Sequence, residues 1–319
     1  MLKYDVLCVG SATVDTFLTT ERKLTSVKVG DKVLISNTEV HSGGGGTNSA
    51  AALKVMGLKV KVLTKLGKDK AGEIVERELR DYKIKNICRH YSKKNTDAAT
   101  IISSSKQRDR IIYVHKGASR DLSIEDLPQN KLNTRWIYLA TLVGKSFNTA
   151  KKIAAIAEKK KIKVLFNPSS YLAKKGKRFL LPVLKATTVL VLNKDEAADL
   201  LGKKSKPGKM AHQLSKLGPE IVIITDGAKK VYAYSEGKVS WLIPPDVPVI
   251  HTAGAGDAFT AGFLAGIIKK YPIEEALQLG QANSCSVIQH IGTKNKLLNL
   301  KEGLRMMKKY RMKVHQSGV

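Results

Sequence analysis

Short apolar runs rich in β-branched residues alternate with helix-like segments over most of this 319-residue chain. The runs have the length of buried strands, and the segments between them place apolar residues at helical spacing. Strands separated by helices usually pair in parallel, so the alternation predicts βαβ units and a mostly parallel sheet covered on both faces. The predicted strands are residues 6–10, 61–64, 136–140, 164–167, 188–192 and 221–225, and the predicted helices are 48–56, 73–82, 149–160, 195–201 and 209–217.

Two stretches, at about residues 16–40 and 97–116, break this alternation because strand-like pieces follow one another without helices between them. We expect them to form a small β-sheet that projects from the main body. Such a sheet is either a lid that closes over a substrate and excludes water, or an ordinary peripheral sheet. No repeat and no Pro- or Ser-rich linker divides the chain, so we expect a single domain over 1–319, with a basic C-terminal tail at about 296–319.

The composition limits the class of protein. Hydrophobic residues make up 43% of the chain, which is enough for a substantial core, and 56 Lys and Arg against 27 Asp and Glu give a net charge of +29. Because the basic excess is spread along the chain, we expect only non-specific attraction to nucleic acid. The apolar runs are too short to span a membrane and the first residues lack a signal peptide's features, so a cytoplasmic location is expected.

The cysteines and the C-terminal tail carry weaker signals. Cys8, Cys88 and Cys285 are far apart and odd in number, which indicates packing roles rather than disulfides or a zinc site. Residues 301–313 carry six basic residues and one acid around a few apolar ones. This pattern suggests an amphipathic helix, whose apolar stripe either packs on the body or binds an anionic surface.

Residues 251–266 join a glycine turn, a carboxylate and an apolar helix in one run, beginning His-Thr-Ala-Gly-Ala-Gly-Asp. Gly254 and Gly256 permit a tight bend that leads into the helix N-terminus. Unpaired N–H groups and the dipole at such an end stabilise anionic oxygens, as a phosphoryl group in transfer requires. Asp257 therefore lies at the mouth of an anion hole, where it is either a catalytic group, ionised at neutral pH, or simply an N-cap.

The glycine run Gly43 to Gly46 and two polar residues suggest a second part of a site. Four consecutive glycines before an alanine-rich helix are explained by close approach of the backbone to a ligand, or by a flexible loop. Asn48 offers a donor and an acceptor to hydroxyl groups. Asp15, just after the first strand, can accept hydrogen bonds from two sugar hydroxyls or form a turn.

Two further strand ends carry residues that suit a nucleotide. Asn193 and Glu196 follow the strand at 188–192, where they either cap the next helix or help to hold a water-bound Mg²⁺ near phosphates. Thr225 and Gly227 end a strand before a predicted hairpin at 230–243. The glycine there either admits a nucleotide or makes the turn.

The order and spacing of these segments resemble the ribokinase-like, PfkB-type family of carbohydrate and nucleoside kinases. The resemblance covers about residues 4–292, and its two specific motifs are the Gly-Gly-x-Gly-x-Asn loop at 43–48 and the Thr-x-Gly-Ala-Gly-Asp box at 252–257. It implies a three-layer αβα, Rossmann-like sandwich with a small β-sheet lid, and an ATP-dependent kinase that uses Mg²⁺.

The resemblance also implies roles for single residues. Asp257 would be the catalytic base, with an anion hole formed by the backbone N–H groups of Gly254, Ala255 and Gly256. Acceptor contacts would come from Asp15, Gly44, Gly45 and Asn48. Asn193 and Glu196 would serve the Mg²⁺ and the phosphates through water, while Thr225 and Gly227 would bind the nucleotide, with Asn283 near the adenine.

Two departures from the family pattern bear on specificity. His251 stands where the box usually begins with Asp or Asn, in a loop that binds a monovalent cation in many relatives, so dependence on K⁺ is left open. Gly45 stands where ribokinase-like loops often carry Lys, which weakens an assignment to ribose.

Three hypotheses of function remain. The leading one is an ATP-dependent kinase of a small sugar. The alternative is a nucleoside kinase, since Phe17 and Tyr113 on the predicted lid either stack on a base or pack there. The third is a nucleic-acid-binding protein on a kinase scaffold that has lost its activity. A homodimer formed through the lid is also expected.

Overall fold

Fourteen strands are found in the computed structural model, which describes residues 4–128 and 132–318. They are β1 (Tyr4–Val9), β2 (Thr13–Thr20), β3 (Asn37–Gly43), β4 (Val60–Leu63), β5 (Lys85–Asn86), β6 (Asp97–Ser104), β7 (Gln107–His115), β8 (Thr134–Leu139), β9 (Lys163–Phe166), β10 (Val189–Asn193), β11 (Ile221–Thr225), β12 (Val231–Ser235), β13 (Lys238–Leu242) and β14 (Val314–Gly318). The strands predicted from the sequence correspond to β1, β4, β8, β9, β10 and β11, with ends within two residues.

The larger sheet has the strand order β14-β13-β12-β11-β10-β9-β8-β1-β4-β5. Its seven strands from β11 to β5 are parallel, whereas β12, β13 and β14 are added antiparallel at one edge. The mostly parallel sheet expected from the alternating pattern is therefore present. The predicted hairpin at 230–243 is the β12–β13 pair.

Helices cover both faces of this sheet. They are α1 (Gly45–Val55), α2 (Lys70–Asp81), α3 (Ser146–Lys159), α4 (Ser169–Ala173), α5 (Gly176–Leu184), α6 (Lys194–Leu201), α7 (Pro207–Ser215), α8 (Ala255–Ile268), α9 (Ile273–Val287) and α10 (Leu300–Lys309). Side chains alternate along β1, so that Val6 and Cys8 join the core under α1, α8 and α9, while Leu7 and Val9 join the core under α3, α5 and α7. The result is the three-layer αβα sandwich.

A smaller sheet has the order β3-β2-β6-β7, with β2 and β6 parallel and the outer pairs antiparallel. It is built from the two stretches predicted at 16–40 and 97–116, although β2 already begins at Thr13 and β3 ends at Gly43. Asp97 holds the base of this sheet, because its carboxylate accepts hydrogen bonds from Ser119 Oγ and from the N–H groups of Gly117 and Ser119.

The tail packs on the body. α10 begins with a capping box between Asn299 and Glu302, and its apolar residues Leu300 and Met307 lie against the core. The amphipathic helix was thus predicted, but β14 was not; it pairs with β13, and His315 stacks on Trp241 with ring centroids 4.3 Å apart.

The three cysteines are free thiols, as expected, and burial raises the pKa of Cys88 to about 11. In the part of the chain that the structure describes, no helix has the length and apolarity needed to cross a bilayer.

Candidate active site

The smaller sheet is the predicted lid and is called the lid below. Residues from the lid, the glycine loop and α8 meet in one pocket of about 320 Å³. Its walls include Ser11, Ala140 and Asn167, which follow β1, β8 and β9, so the pocket lies beyond the carboxyl ends of the parallel strands. Four of the residues predicted to form the site line it together, namely Asp15, Gly44, Gly45 and Asp257.

The N-terminus of α8 opens toward this pocket. Gly254 is its N-cap in the left-handed conformation (φ 79°), and the N–H of Ala258 makes the helical bond back to Gly254 O (2.8 Å). The N–H groups of Ala255, Gly256 and Asp257 therefore lie in the first turn of α8, before the first regular helical hydrogen bond. The N–H of Ala255 makes only a long bond of 3.4 Å to Thr252 O. This geometry suits the predicted anion hole.

Gly254 is required for a second reason. A Cβ at this position would lie 2.4 Å from the carbonyl oxygen of Thr293, so the first turn of α8 is pressed against the loop that follows α9. Any other residue would push these two backbone segments apart.

The carboxylate of Asp257 is held by Asn48. Asn48 Nδ2 donates to Asp257 Oδ2 over 2.8 Å, while Asn48 Oδ1 accepts from Thr293 Oγ1 (2.9 Å) and from Lys294 Nζ (3.2 Å). Burial raises the pKa of Asp257, and the hydrogen bond from Asn48 and the charge of Lys294 oppose that rise. Asp257 is thus a carboxylate of increased basicity, which suits a general base.

Asp15 provides the second carboxylate of the pocket. Thr13 Oγ1 donates to Asp15 Oδ1 over 2.9 Å. Burial raises the pKa of Asp15, whereas the Thr13 hydrogen bond and the charges of Lys294 and Lys116 lower it. Asp15 also raises the pKa of Asp257, so the two carboxylates are close enough to interact electrostatically.

The glycine run packs so closely against neighbouring parts of the chain that most of its positions have no room for a side chain. A Cβ on Gly43 would lie 2.1 Å from Asp15 Oδ2, and one on Gly44, whose φ is 98°, would lie 2.5 Å from Ser11 O. A Cβ on Gly45 would come within 3.8 Å of Asp257 Oδ1. Close approach to a ligand, the reason predicted for the glycines, therefore explains only part of their role. The helix α1 begins at Gly45, three residues earlier than predicted.

Sequence reasoning missed a buried network behind the pocket. Lys294 Nζ donates to the carbonyl and hydroxyl oxygens of Ser42, both at 2.7 Å, and forms an ion pair of 2.8 Å with Glu78 of α2. Ser42 also donates its hydroxyl hydrogen to Glu78. The sequence signal was weak, since Lys294 is one lysine in a lysine-rich chain and Glu78 is one of several charged residues of the amphipathic helix α2.

Asn193 and Glu196 form a capping box at the start of α6. Asn193 Oδ1 accepts from the N–H of Glu196 (2.8 Å), and Glu196 Oε2 accepts from the N–H of Asn193 (2.9 Å). Burial raises the pKa of Glu196, and a hydrogen bond from the Ser170 backbone lowers it. Ser169 and Tyr171 line the pocket, so Glu196 lies next to its rim. Both residues therefore cap α6, which is one of the two roles that the sequence suggested.

A magnesium site is compatible with this carboxylate. The described residues contain no cluster of three His, Cys, Asp or Glu side chains able to hold a metal. Mg²⁺ usually keeps several waters and takes one or two protein carboxylates together with substrate phosphates, so a single partly desolvated Glu196 fits such an ion.

The remaining predicted nucleotide residues lie apart from the pocket. Thr225 ends β11, and Gly227 (φ 55°) lies in the turn to β12, with open space around it. Asn283 is fully buried; its Nδ2 donates to Ala258 O (2.8 Å), and its Oδ1 accepts from the N–H of Leu298 (3.0 Å). This arrangement therefore does not support direct contact between the Asn283 side chain and a nucleotide.

His251 and Phe17 join the lid to the loop before α8. Their rings meet edge to face with centroids 4.9 Å apart, and Phe17 also contacts His41. Phe17 is thus packed, whereas Tyr113 is 60% exposed. His251 Nδ1 accepts from the N–H of Ala253 (3.0 Å), and burial, with the nearby charge of Arg110, lowers the pKa of His251.

Known proteins resemble the chain over its whole length. A nucleoside kinase from Methanocaldococcus jannaschii is 25% identical over 96% of this chain and 98% of its own. An ATP-dependent 6-phosphofructokinase from Thermoanaerobacterium thermosaccharolyticum is 24% identical over 91% of this chain and 89% of its own. The structure of Arabidopsis thaliana ribokinase complexed with ribose and ATP superposes with a TM-score of 0.80 at 21% identity, over 96% of this chain and 99% of that one, which shows the same fold.

The family model described as pfkB family carbohydrate kinase matches residues 3–299. Since this match includes the glycine loop, α8 and the pocket between them, the chain belongs to the pfkB family of carbohydrate kinases.

Proposed function

We propose that this protein is an ATP-dependent phosphotransferase that phosphorylates a hydroxyl group of a small sugar. The observation that carries the proposal is the hydrogen bond between Asn48 and Asp257 at the start of α8. It supports the proposal because it holds a carboxylate of raised pKa that lines the pocket and belongs to the first turn of a helix.

In this mechanism Asp15 and Asn48 orient the acceptor. Asp257 accepts the hydroxyl proton as the oxygen attacks the γ-phosphoryl group, and the N–H groups of Gly254, Ala255 and Gly256 stabilise the charge on that group. The bound Mg²⁺, held through water by Asn193 and Glu196, would neutralise charge on the phosphates. Thr225 and Gly227 would serve the nucleotide.

The charges of the pocket favour an uncharged acceptor. Asp15 and Asp257 line the pocket with two carboxyl groups, and Lys116, the cation among the described lining residues, is already paired with the buried Asp97 at 3.2 Å. Lys294 is paired with Glu78. An acceptor bearing a phosphate would therefore meet repulsion without a free cation among the described lining residues. The 6-phosphofructokinase relative does not indicate the acceptor here.

A nucleoside kinase is the second candidate. Tyr171, 52% exposed at the rim, and the apolar Val114 and Val143 offer a surface on which a base can stack or pack. The nucleoside kinase of Methanocaldococcus jannaschii supports this candidate. A pocket of about 320 Å³ is at the small end for ligand sites, which favours a single sugar ring.

The experiment is an ADP-release assay with pentoses, hexoses, nucleosides and sugar phosphates in parallel. We expect turnover with an uncharged pentose or hexose, weaker turnover with nucleosides, and little with sugar phosphates. Turnover confined to phosphorylated acceptors would contradict the assignment, and no turnover with any acceptor would remove the enzymatic proposal. Tyr171→Ala should lower activity toward nucleosides more than toward free sugars.

Two further expectations belong to this proposal. We also expect a cytoplasmic location, where an ATP-dependent kinase finds its ATP. Val40, Ile111 and Tyr113 are exposed on one face of the smaller sheet, and this exposed apolar face supports a homodimer formed through the lid. Light scattering should give twice the mass of the 34.9 kDa chain, and Ile111→Lys should return it to the monomer. The basic surface supports only salt-sensitive, non-specific attraction to nucleic acid.

A further inference from the structure

We propose that Lys294 is a positioning residue, whose ammonium group fixes the amide of Asn48 so that Asn48 donates to Asp257. Lys294 lies in the loop between α9 and α10 and is only 6% exposed. The proposal rests on the assignment of Asp257 as the base. Because Lys294 touches Asn48 rather than the acceptor, it acts on the reaction through Asn48 and through its charge.

The orientation of Asn48 follows from its neighbours. Lys294 Nζ and Thr293 Oγ1 both lie within 3.2 Å of Asn48 Oδ1, and an ammonium group can only donate. The opposite orientation would place the NH₂ group of Asn48 against the ammonium and its oxygen against the Asp257 carboxylate. Lys294 therefore excludes that orientation. Any hydrogen bond from Asn48 to an acceptor would then be a donated one, because Thr293 and Lys294 occupy its oxygen; the sequence led us to expect both a donor and an acceptor.

The charge of Lys294 acts on the same carboxylates. Glu78 is the ion-pair partner of Lys294, at 2.8 Å. The carboxylates of Asp15 and Asp257 also interact with the Lys294 charge, and His41 lies next to Asp15. The positive charge lowers the pKa of both pocket carboxylates and so opposes the effect of burial. Burial lowers the pKa of Lys294 itself, and these anions raise it.

The surrounding backbone holds Lys294 in place. Thr293 O abuts Gly254 at the start of α8, and Lys294 Nζ donates to Ser42 O before the glycine loop. Thr293 and Lys294 together thus join the start of α8, the glycine loop and α2. A change at the Lys294 side chain reaches all three parts of the proposed site.

Two substitutions separate the hydrogen bond from the charge. Lys294→Gln keeps a donor for Asn48 but removes the charge, whereas Lys294→Met removes both. We expect Lys294→Gln to keep most of kcat at high pH while the acidic limb of the kcat–pH profile moves up by about one pH unit. Lys294→Met should show the same shift and lose kcat by about 10–100-fold, with the KM for ATP unchanged.

Lys65→Met is the matched control. Lys65 forms another buried ion pair, with Asp126 at 2.6 Å, and is not among the residues lining the pocket. Its loss should lower Tm without moving the pH profile or kcat of the folded enzyme. If Lys294→Met alone fails to fold, the double variant Glu78→Gln/Lys294→Met avoids an unpaired buried Glu78 and should show the same loss of kcat and the same shift.

The pKa of the Asp257 carboxyl, followed by ¹³C NMR without any acceptor, tests the inference independently of turnover. We expect a higher pKa in Lys294→Gln than in the wild type. An unchanged pKa, or a wild-type kcat and pH profile in Lys294→Met, overturns the role of Lys294. Lack of turnover in the wild type would instead contradict the proposed function, so the two failures are distinguishable.

Discussion

Asn48 and Asp257, 209 residues apart in the chain, are joined by a hydrogen bond of 2.8 Å between their side chains. Asn48 lies in the first turn of α1 and Asp257 in the first turn of α8. Two helix N-termini therefore converge on the pocket, where their dipoles favour negative charge. The hydrogen bond from Asn48 opposes the burial that raises the pKa of Asp257, and it joins the glycine loop to the start of α8.

Asp257→Asn should abolish most of the activity and keep the fold. The amide cannot accept the hydroxyl proton, so we expect kcat to fall by about 10²–10⁴-fold, the usual contribution of a general base. Steady-state ADP release measures this loss. Calorimetric titration with ATP and the thermal melting curve serve as controls, and both should stay close to the wild type. A variant with wild-type turnover would remove Asp257 from the mechanism.

The pH dependence should reflect the two buried carboxylates. Transfer needs ionised Asp257, and burial raises its pKa above the ordinary value of 3.8, so protonation begins at a higher pH than for an exposed aspartate. We expect kcat/KM to fall as the pH is lowered, with an acidic limb above pH 3.8. Because the pKa of Asp15 is raised as well, the limb should be steeper than one proton gives.

Asp15→Asn separates the two carboxylates. It should make the acidic limb less steep. The remaining limb should reflect Asp257 and lie at lower pH than in the wild type, because Asp15 no longer raises the pKa of Asp257. Measurement of kcat/KM across the acidic range, with an acceptor that does not itself titrate, decides the point. A profile that stays flat down to the ordinary aspartate value contradicts a rise in the pKa of Asp257 caused by burial.

Gly43→Ala should impair acceptor binding more than ATP binding. The added methyl group would lie 2.1 Å from Asp15 Oδ2 and 2.8 Å from Thr13 Oγ1, so the Asp15 side chain must move. We expect kcat/KM for the acceptor to fall by about 10²-fold, mainly through KM, with the KM for ATP little changed. Gly208→Ala is the control, because its methyl group meets Val239 at an ordinary 3.4 Å. An unchanged acceptor KM in folded Gly43→Ala would show that Asp15 does not bind the acceptor.

Most of the architecture was predictable because it depends on local periodicity. Six of the parallel strands and five helices follow from apolar spacing, and the hairpin at 230–243 was predicted after the strand that ends at Thr225. Helix starts were less predictable, as α1 shows, since its first turn includes Gly45 and Gly46 of the glycine run that was expected to precede the helix. β14 was missed because its pairing with β13 is a tertiary contact that no local pattern records.

The residues of the site also differ in how far the sequence predicts them. Asp15 follows the first predicted strand and Asp257 ends a glycine-rich box, and the structure places both in one pocket. Lys294 and Glu78 lie 216 positions apart and meet only through the fold, so their ion pair leaves no trace in spacing. Asn283 shows the opposite case, since its position suggested a ligand contact whereas its side chain is occupied by Ala258 and Leu298.

Turnover should be independent of K⁺. A monovalent cation is bound by oxygen ligands, and this chain has the imidazole of His251 at the first position of the box, where the sequence resemblance leads us to expect Asp or Asn. Its Nδ1 accepts from the N–H of Ala253, which makes Nε2 the protonated nitrogen of the neutral ring. Nε2 is buried and has no hydrogen-bond partner among the described residues. Neither ring nitrogen therefore offers an acceptor to a cation.

The measurement is kcat in buffers that contain K⁺, Na⁺ or choline at equal ionic strength. We expect the three rates to agree within about twofold, because equal screening leaves only specific binding to distinguish the ions. His251→Asp is the informative variant, since it restores a carboxylate at this position and should introduce a preference for K⁺. Strong activation of the wild type by K⁺ alone would show that backbone oxygens of the loop bind the ion without the side chain.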